Sequence, residues 1–158
     1  MPAWNDLLNE LERRPSEVAK AKWIATRLNA GLGGIRARRG NRKDIFYASA
    51  FLQKPAAPAQ LLQLTHEEIN GFMSVVYGMN CSENLTLVLH TPGGITNAAE
   101  TVVELLCSKF SDIEVIIPTY AMSAGTMISL AANRIVMGRQ SQLGPVEMAQ
   151  TPYAGASR

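Results

Sequence analysis

Cysteine is scarce in this chain. There are two, Cys81 and Cys107, and neither lies near a second cysteine or a histidine at metal-ligand spacing. That excludes a disulfide framework and a zinc-type centre, and it implies reduced thiols in a cytoplasmic protein. Neither metal nor cofactor is expected. Long apolar runs are missing too: the nearest, Ala121 to Ala132, is short and is interrupted by Ser123, Thr126 and Ser129. A membrane span needs about 20 such residues, so no membrane span is expected. Nor does a charged-then-apolar leader open the chain, where Trp4, Leu7, Leu8 and Leu11 alternate with Asp6, Glu10 and Glu12. Net charge is only +2, too little to imply a nucleic-acid partner. Histidine is confined to His66 and His90, which limits the choice of any proton acceptor.

What is present suits a globular protein with a core of ordinary size, at 47% hydrophobic and 18% charged residues. The first 30 residues read as helical, with Val18, Trp23, Ile24 and Leu28 at helical spacing. Pro15 or Ser16 starts a second helix, and the Gly31 to Gly34 cluster is expected to stop it. Arg36, Arg38, Arg39, Arg42 and Lys43 then crowd one stretch. It reads as a solvated linker or as an arm touching phosphate, lipid headgroups or an acidic partner, and no aromatic residue interleaves the charges. Residues 1–40 are therefore expected to form a helical arm and basic linker, and 41–158 the main domain. With few apolar residues of its own to bury, the arm suits packing on a partner subunit.

Ile45 to Leu52 predicts a buried strand, and the following loop carries Pro55 and Pro58. Thr65 with Glu68 three positions on is a capping box, opening a helix to about Met79. Regular alternation follows: strand Leu85 to Leu89, helix Asn97 to Phe110, strand Val115 to Ile117, helix Ala124 to Ala132, strand Ile135 to Met137. Strands and helices alternating with short connections predict an α/β fold of parallel strands joined by crossover helices. In such sheets chemistry gathers at the carboxyl ends of the strands.

Two motifs fall there. Thr91-Pro92-Gly93-Gly94 leaves the strand that ends at His90; it reads either as a plain turn or as one that presents backbone N–H groups to a developing oxyanion. Met122-Ser123-Ala124-Gly125-Thr126 spans a strand-to-helix junction. Ser123 there is either a helix N-cap or a nucleophile, with the Ala124 N–H beside it. His90 reads as a structural histidine or as the base such a serine needs. His66, next to Glu67 and Glu68, reads as a solvated surface residue.

A Gly-Gly turn and a Ser-Ala-Gly turn after successive parallel strands resemble the ClpP/crotonase-like superfamily. Within it, the chain is most similar to the serine dehydrogenase proteinase family. The likeness is carried by Tyr47 to Pro55, Leu89 to Gly94, Ser108-Lys109-Phe110, Ala121 to Met127, Ile135 to Gly138 and Ser141 to Pro145. It implies an ATP-independent serine peptidase acting on a peptide or protein, with homo-oligomeric assembly. Ser123 would be the nucleophile, and the turns holding Gly93, Gly94 and Ala124 would form the oxyanion hole. Where family members tend to carry two further histidines and an aspartate, this chain has Thr119, Gln140 and Glu147. His90 and Glu147 are therefore the candidate catalytic partners. The alternatives are a catalytically silent binding or assembly module of the same fold, and crotonase-like chemistry on an acyl thioester. The main domain is expected to lack its closing C-terminal element, as in a fragment or a shortened member.

Overall fold

Ser16 opens the longest helix by accepting the Ala19 N–H on its hydroxyl at 3.2 Å. In the computed structural model, which describes residues 3–80 and 84–145, the chain divides into two units, Met1–Arg42 and Lys43–Arg158. The first holds α1 (Trp4–Glu12) and α2 (Glu17–Arg38). An Arg27–Glu10 ion pair at 2.8 Å joins the two helices. The guanidinium groups of Arg14 and Arg27 also sit 5.8 and 5.3 Å from the centre of the Trp23 ring.

The glycine cluster does not end α2, contrary to the sequence expectation. A helix-interior glycine costs about 1 kcal/mol relative to alanine, which weakens a helix without forbidding it. The chain turns only at Gly40 and Asn41, whose φ angles are +73° and +61°, and the Asn41 N–H closes the end on the Arg36 carbonyl at 3.0 Å. Arg36 and Arg38 thus belong to the last turn of a helix, where positive charge suits the exposed carbonyls. Nothing lies within 4 Å of a Cβ built on Gly31 or Gly33. Gly31→Ala with Gly33→Ala is expected to stabilise α2 by roughly 1–2 kcal/mol. Circular dichroism at 222 nm during thermal melting checks it, and a lower midpoint would count against it.

In the second unit, β1 (Lys43–Ala48), β2 (Leu85–His90), β3 (Ile113–Ile117) and β5 (Arg134–Met137) form a parallel sheet in that order. Helices α3 (His66–Val76), α4 (Thr96–Lys109) and α5 (Ala124–Leu130) complete the crossovers. The fold is the α/β arrangement expected. Register places Ile45, Leu87, Val115 and Ile135 in one row across the sheet. Against this face pack Phe72 and Val76 of α3, Ala98, Val102 and Leu106 of α4, and Ile128 of α5. β2 runs centrally and is buried from Leu85 to Leu89, as a largely apolar strand covered on both faces should be.

β1 departs from expectation. It lies at the sheet's edge, buries only Ile45, leaves Phe46 42% exposed, and stops at Ala48. Apolar composition alone does not distinguish an edge strand from a central one. A second, two-stranded parallel sheet of β4 (Tyr120–Ala121) and β6 (Gln142–Leu143) was not anticipated at all. Two-residue strands carry too little periodicity to read. Among the described residues no helix is long and apolar enough to cross a membrane.

Candidate active site

The ladder of β2 continues past its last residue. Thr91 donates its N–H to the Tyr120 carbonyl at 3.0 Å, and its own carbonyl accepts the Met122 N–H at 3.1 Å. These two bonds zip the end of β2 to β4 and bring the glycine turn against the serine turn. At Gly93 (φ +102°) the approach is so close that a Cβ would lie 2.7 Å from the Met122 carbonyl oxygen and from Ser123 Cβ. On the other side, Gly94 lies along the Leu64 backbone, where a Cβ would overlap backbone atoms. The Leu64 N–H donates to the Gly93 carbonyl at 2.8 Å, and the Ile95 N–H donates to the Leu64 carbonyl at 2.8 Å. Both glycines are required by close approach of backbone to backbone.

Ser123 has φ +48° and ψ −113°. This lies outside the regions open to residues with a Cβ, and such strain costs on the order of 1–3 kcal/mol. Its carbonyl starts α5 by accepting the Thr126 and Met127 N–H groups at 2.8 and 3.2 Å. Its hydroxyl does not cap the helix and makes no hydrogen bond among the described residues. Of the two sequence readings of Ser123, side-chain capping is therefore absent. The Gly94 and Ala124 N–H groups likewise donate to nothing among the described residues. The Gly93 N–H is different: it donates to Thr91 Oγ1 at 3.1 Å and is committed to the turn. Gly93 shapes the site, and its amide is not free to bind a ligand.

The serine turn is clamped from behind by residues that the sequence reading did not single out as structural supports. Thr126 sends its hydroxyl to the Ala121 carbonyl at 2.8 Å and the Gly144 carbonyl at 2.9 Å, stapling β4 and β6 to α5. Gly144 in turn touches Met122, whose Sδ would be 2.8 Å from a Cβ there. Gly125 lies against the buried Thr91 methyl. The bond from Thr126 to Gly144 spans 18 residues and leaves no local pattern to read.

His90 makes no hydrogen bond to Ser123 among the described residues. Its ring stacks on Phe51 at 5.1 Å, tilts against Tyr120 at 6.1 Å, and its Nδ1 lies 3.4 Å from Thr119 Oγ1. Burial holds its pKa below the usual 6.5, a backbone hydrogen bond at Tyr120 partly opposing the shift. His66 is exposed in the first turn of α3. Glu147 and Cys81 lie outside the described residues.

Residues 71–158 match the family of ClpP-like SDH-type serine proteinases. Two uncharacterized proteins of Methanocaldococcus jannaschii are similar. MJ0137 is 34% identical over 94 residues, 60% of this chain and 33% of that protein. MJ1495 is 41% identical over 73 residues, 46% of this chain and 25% of that protein. The chain thus spans no more than a third of the length of the curated relatives it matches. Among solved structures, the membrane-bound stomatin-specific protease 1510-N aligns with TM-score 0.46 and 22% identity, covering 53% of this chain and 43% of its own. ClpP1 of Listeria monocytogenes aligns with TM-score 0.43 and 15% identity over 62% and 51% of the two chains.

Proposed function

This chain belongs to the ClpP-like SDH-type serine proteinases, and on that premise we propose that it hydrolyses peptide bonds through Ser123. The observation that carries the proposal is the state of that residue. A serine held at φ +48° and ψ −113°, its hydroxyl unused by its own helix, stores strain with no structural return. Strained strand-to-helix turns of this type are how unrelated hydrolases expose a nucleophilic hydroxyl.

In the proposed reaction, Ser123 Oγ attacks the peptide carbonyl carbon and its proton passes to a base. The unpaired amides of Gly94 and Ala124 take the oxyanion that forms on the carbonyl oxygen. Collapse releases the amine with the transferred proton, and water then hydrolyses the acyl-serine ester. We assign the base to His90, which burial keeps neutral and therefore able to accept a proton. Glu147 is the candidate carboxylate. An ATP-independent, homo-oligomeric, cytoplasmic peptidase is the corresponding whole-protein reading.

One observation favours a second reading. Ser123 Oγ has no partner among the described residues, while His90 Nδ1 faces Thr119. A catalytically silent module of the same fold would look this way. Labelling with a fluorophosphonate separates the two. The peptidase reading expects one adduct on the Ser123 peptide, absent in Ser123→Ala and slowed about a hundredfold in His90→Gln. Its rate should fall only below pH 6.5, because protonation of His90 removes the base and its pKa is shifted down. A folded protein that takes no label supports the silent module instead.

A further inference from the structure

A cleft of about 320 Å³ opens between the end of β1 and the loop leading into α3. Tyr47, Ser49, Lys54, Leu62, Gln63 and Glu68 are among its lining residues. Its walls are tied to the candidate site on both sides. The Ser49 N–H donates to the His90 carbonyl at 2.9 Å, and the Leu64 N–H donates to the Gly93 carbonyl at 2.8 Å. The Ser49 hydroxyl bridges the walls by donating to the Leu62 carbonyl. At this volume the cleft is at the small end of ligand pockets, with room for one long side chain.

Of its two charged lining residues, Glu68 is the less exposed. Glu68 Oε2 accepts both the N–H and the hydroxyl of Thr65, each at 2.7 Å, while Oε1 has no hydrogen bond among the described residues. The half-buried Tyr47 hydroxyl has none either. The carboxylate's influence reaches the phenol: burial, and then the charge of Glu68, push the Tyr47 pKa up to about 12. Lys54 is exposed and forms no ion pair with Glu68 among the described residues. An apolar occupant would desolvate Oε1 and the phenol without replacing their water. An acidic one would meet Glu68 as a like charge. A basic side chain supplies charge-assisted donors to Oε1, lies against the Tyr47 ring, and packs its aliphatic stem on Ala50 and Ala57.

We propose that this cleft receives a lysine or arginine side chain of the peptide substrate, with Glu68 as the specificity-determining residue. The proposal rests on the peptidase reading above. A fluorogenic peptide set bearing Arg, Lys, Leu or Glu at each position tests it on the full chain. The kcat/KM of the parent should favour a basic residue at one position by about tenfold over leucine. In Glu68→Gln that ratio should fall to near one. Gln preserves the capping box, so α3 keeps its start while the charge is lost. Cleavage without basic preference, or a preference unchanged in Glu68→Gln, overturns the proposal and leaves the peptidase reading intact. If no peptide is cleaved, the peptidase reading fails, and the cleft is judged by binding alone. An NMR titration with N-acetyl-arginine methylamide should then shift the Tyr47 and Ala50 signals in the parent and not in Glu68→Gln. No shift, or equal shifts in both, overturns the cleft as a basic-side-chain site.

Discussion

Ser123→Gly should give a protein that no longer reacts with fluorophosphonate and yet is more stable than its parent by about 1 kcal/mol. Two effects set the magnitude. Glycine adopts φ +48° without a Cβ penalty, which releases strain on the order of 1–3 kcal/mol. Against this, glycine gains backbone freedom in the unfolded chain, which costs about 0.4–1 kcal/mol. The balance is a modest gain. Ser123→Ala makes the comparison decisive, because it removes the same hydroxyl and keeps the Cβ. It should lose all labelling without gaining stability. Turnover, where it is measured, should fall by a factor on the order of 10⁶ in both variants, as for removal of a nucleophile elsewhere. Urea denaturation of the three proteins reads the stability difference. If the glycine variant is no more stable than the alanine variant, the strained backbone has no energetic consequence, and the argument from strain to function fails.

Gly94→Ala should be the most destabilising single methyl in the second unit, at roughly 3–5 kcal/mol. The added Cβ would overlap the Leu64 backbone. Leu64 is buried and cannot move alone, because its N–H is bound to Gly93 and its carbonyl to Ile95. Relief of the clash breaks those bonds, at about 1 kcal/mol each, and adds overpacking strain of about 1–3 kcal/mol. A domain whose whole stability is about 5–15 kcal/mol is left near its unfolding threshold. Gly78→Ala is the control. Gly78 also has a positive φ, +79°, but nothing lies within 4 Å of its Cβ position. It should lose only the left-handed penalty of about 1–2 kcal/mol. Equal urea midpoints for the two variants would show that the packing of Gly94 on Leu64 is not what holds the turn.

Those two glycines also mark how far the amino-acid order could be read. Helices and strands of the second unit follow from local rules: the Thr65 capping box, the buried run Leu85 to Leu89, the apolar face of α4 through Ala98, Val102 and Leu106. Period and capping act within a few residues, so they are visible in a single chain. So was the family, because its motifs are short and occur in order. Two local rules misled. Glycines at 31 to 34 looked like a helix stop, yet a helix tolerates them when no competing structure is stronger. The run from Ile45 looked buried and forms an edge, because apolarity does not record which neighbours a strand has.

The juxtaposition at the heart of the site lies beyond local rules. That Gly93 touches Ser123, that Leu64 locks Gly94, and that the Thr126 hydroxyl reaches the Gly144 carbonyl are all products of long-range contact. Only in three dimensions does the Gly93 amide turn out to be spent on Thr91, while those of Gly94 and Ala124 are not. The same holds for His90, whose position at a strand end was legible but whose ring direction was set by Phe51, Tyr120 and Thr119. Sequence by itself determined the residue types, the alternation of the main helices and strands, and the family. Tertiary structure decided which backbone groups are free and which hydroxyl is left without a structural task, because hydrogen-bond partners are chosen by proximity in space.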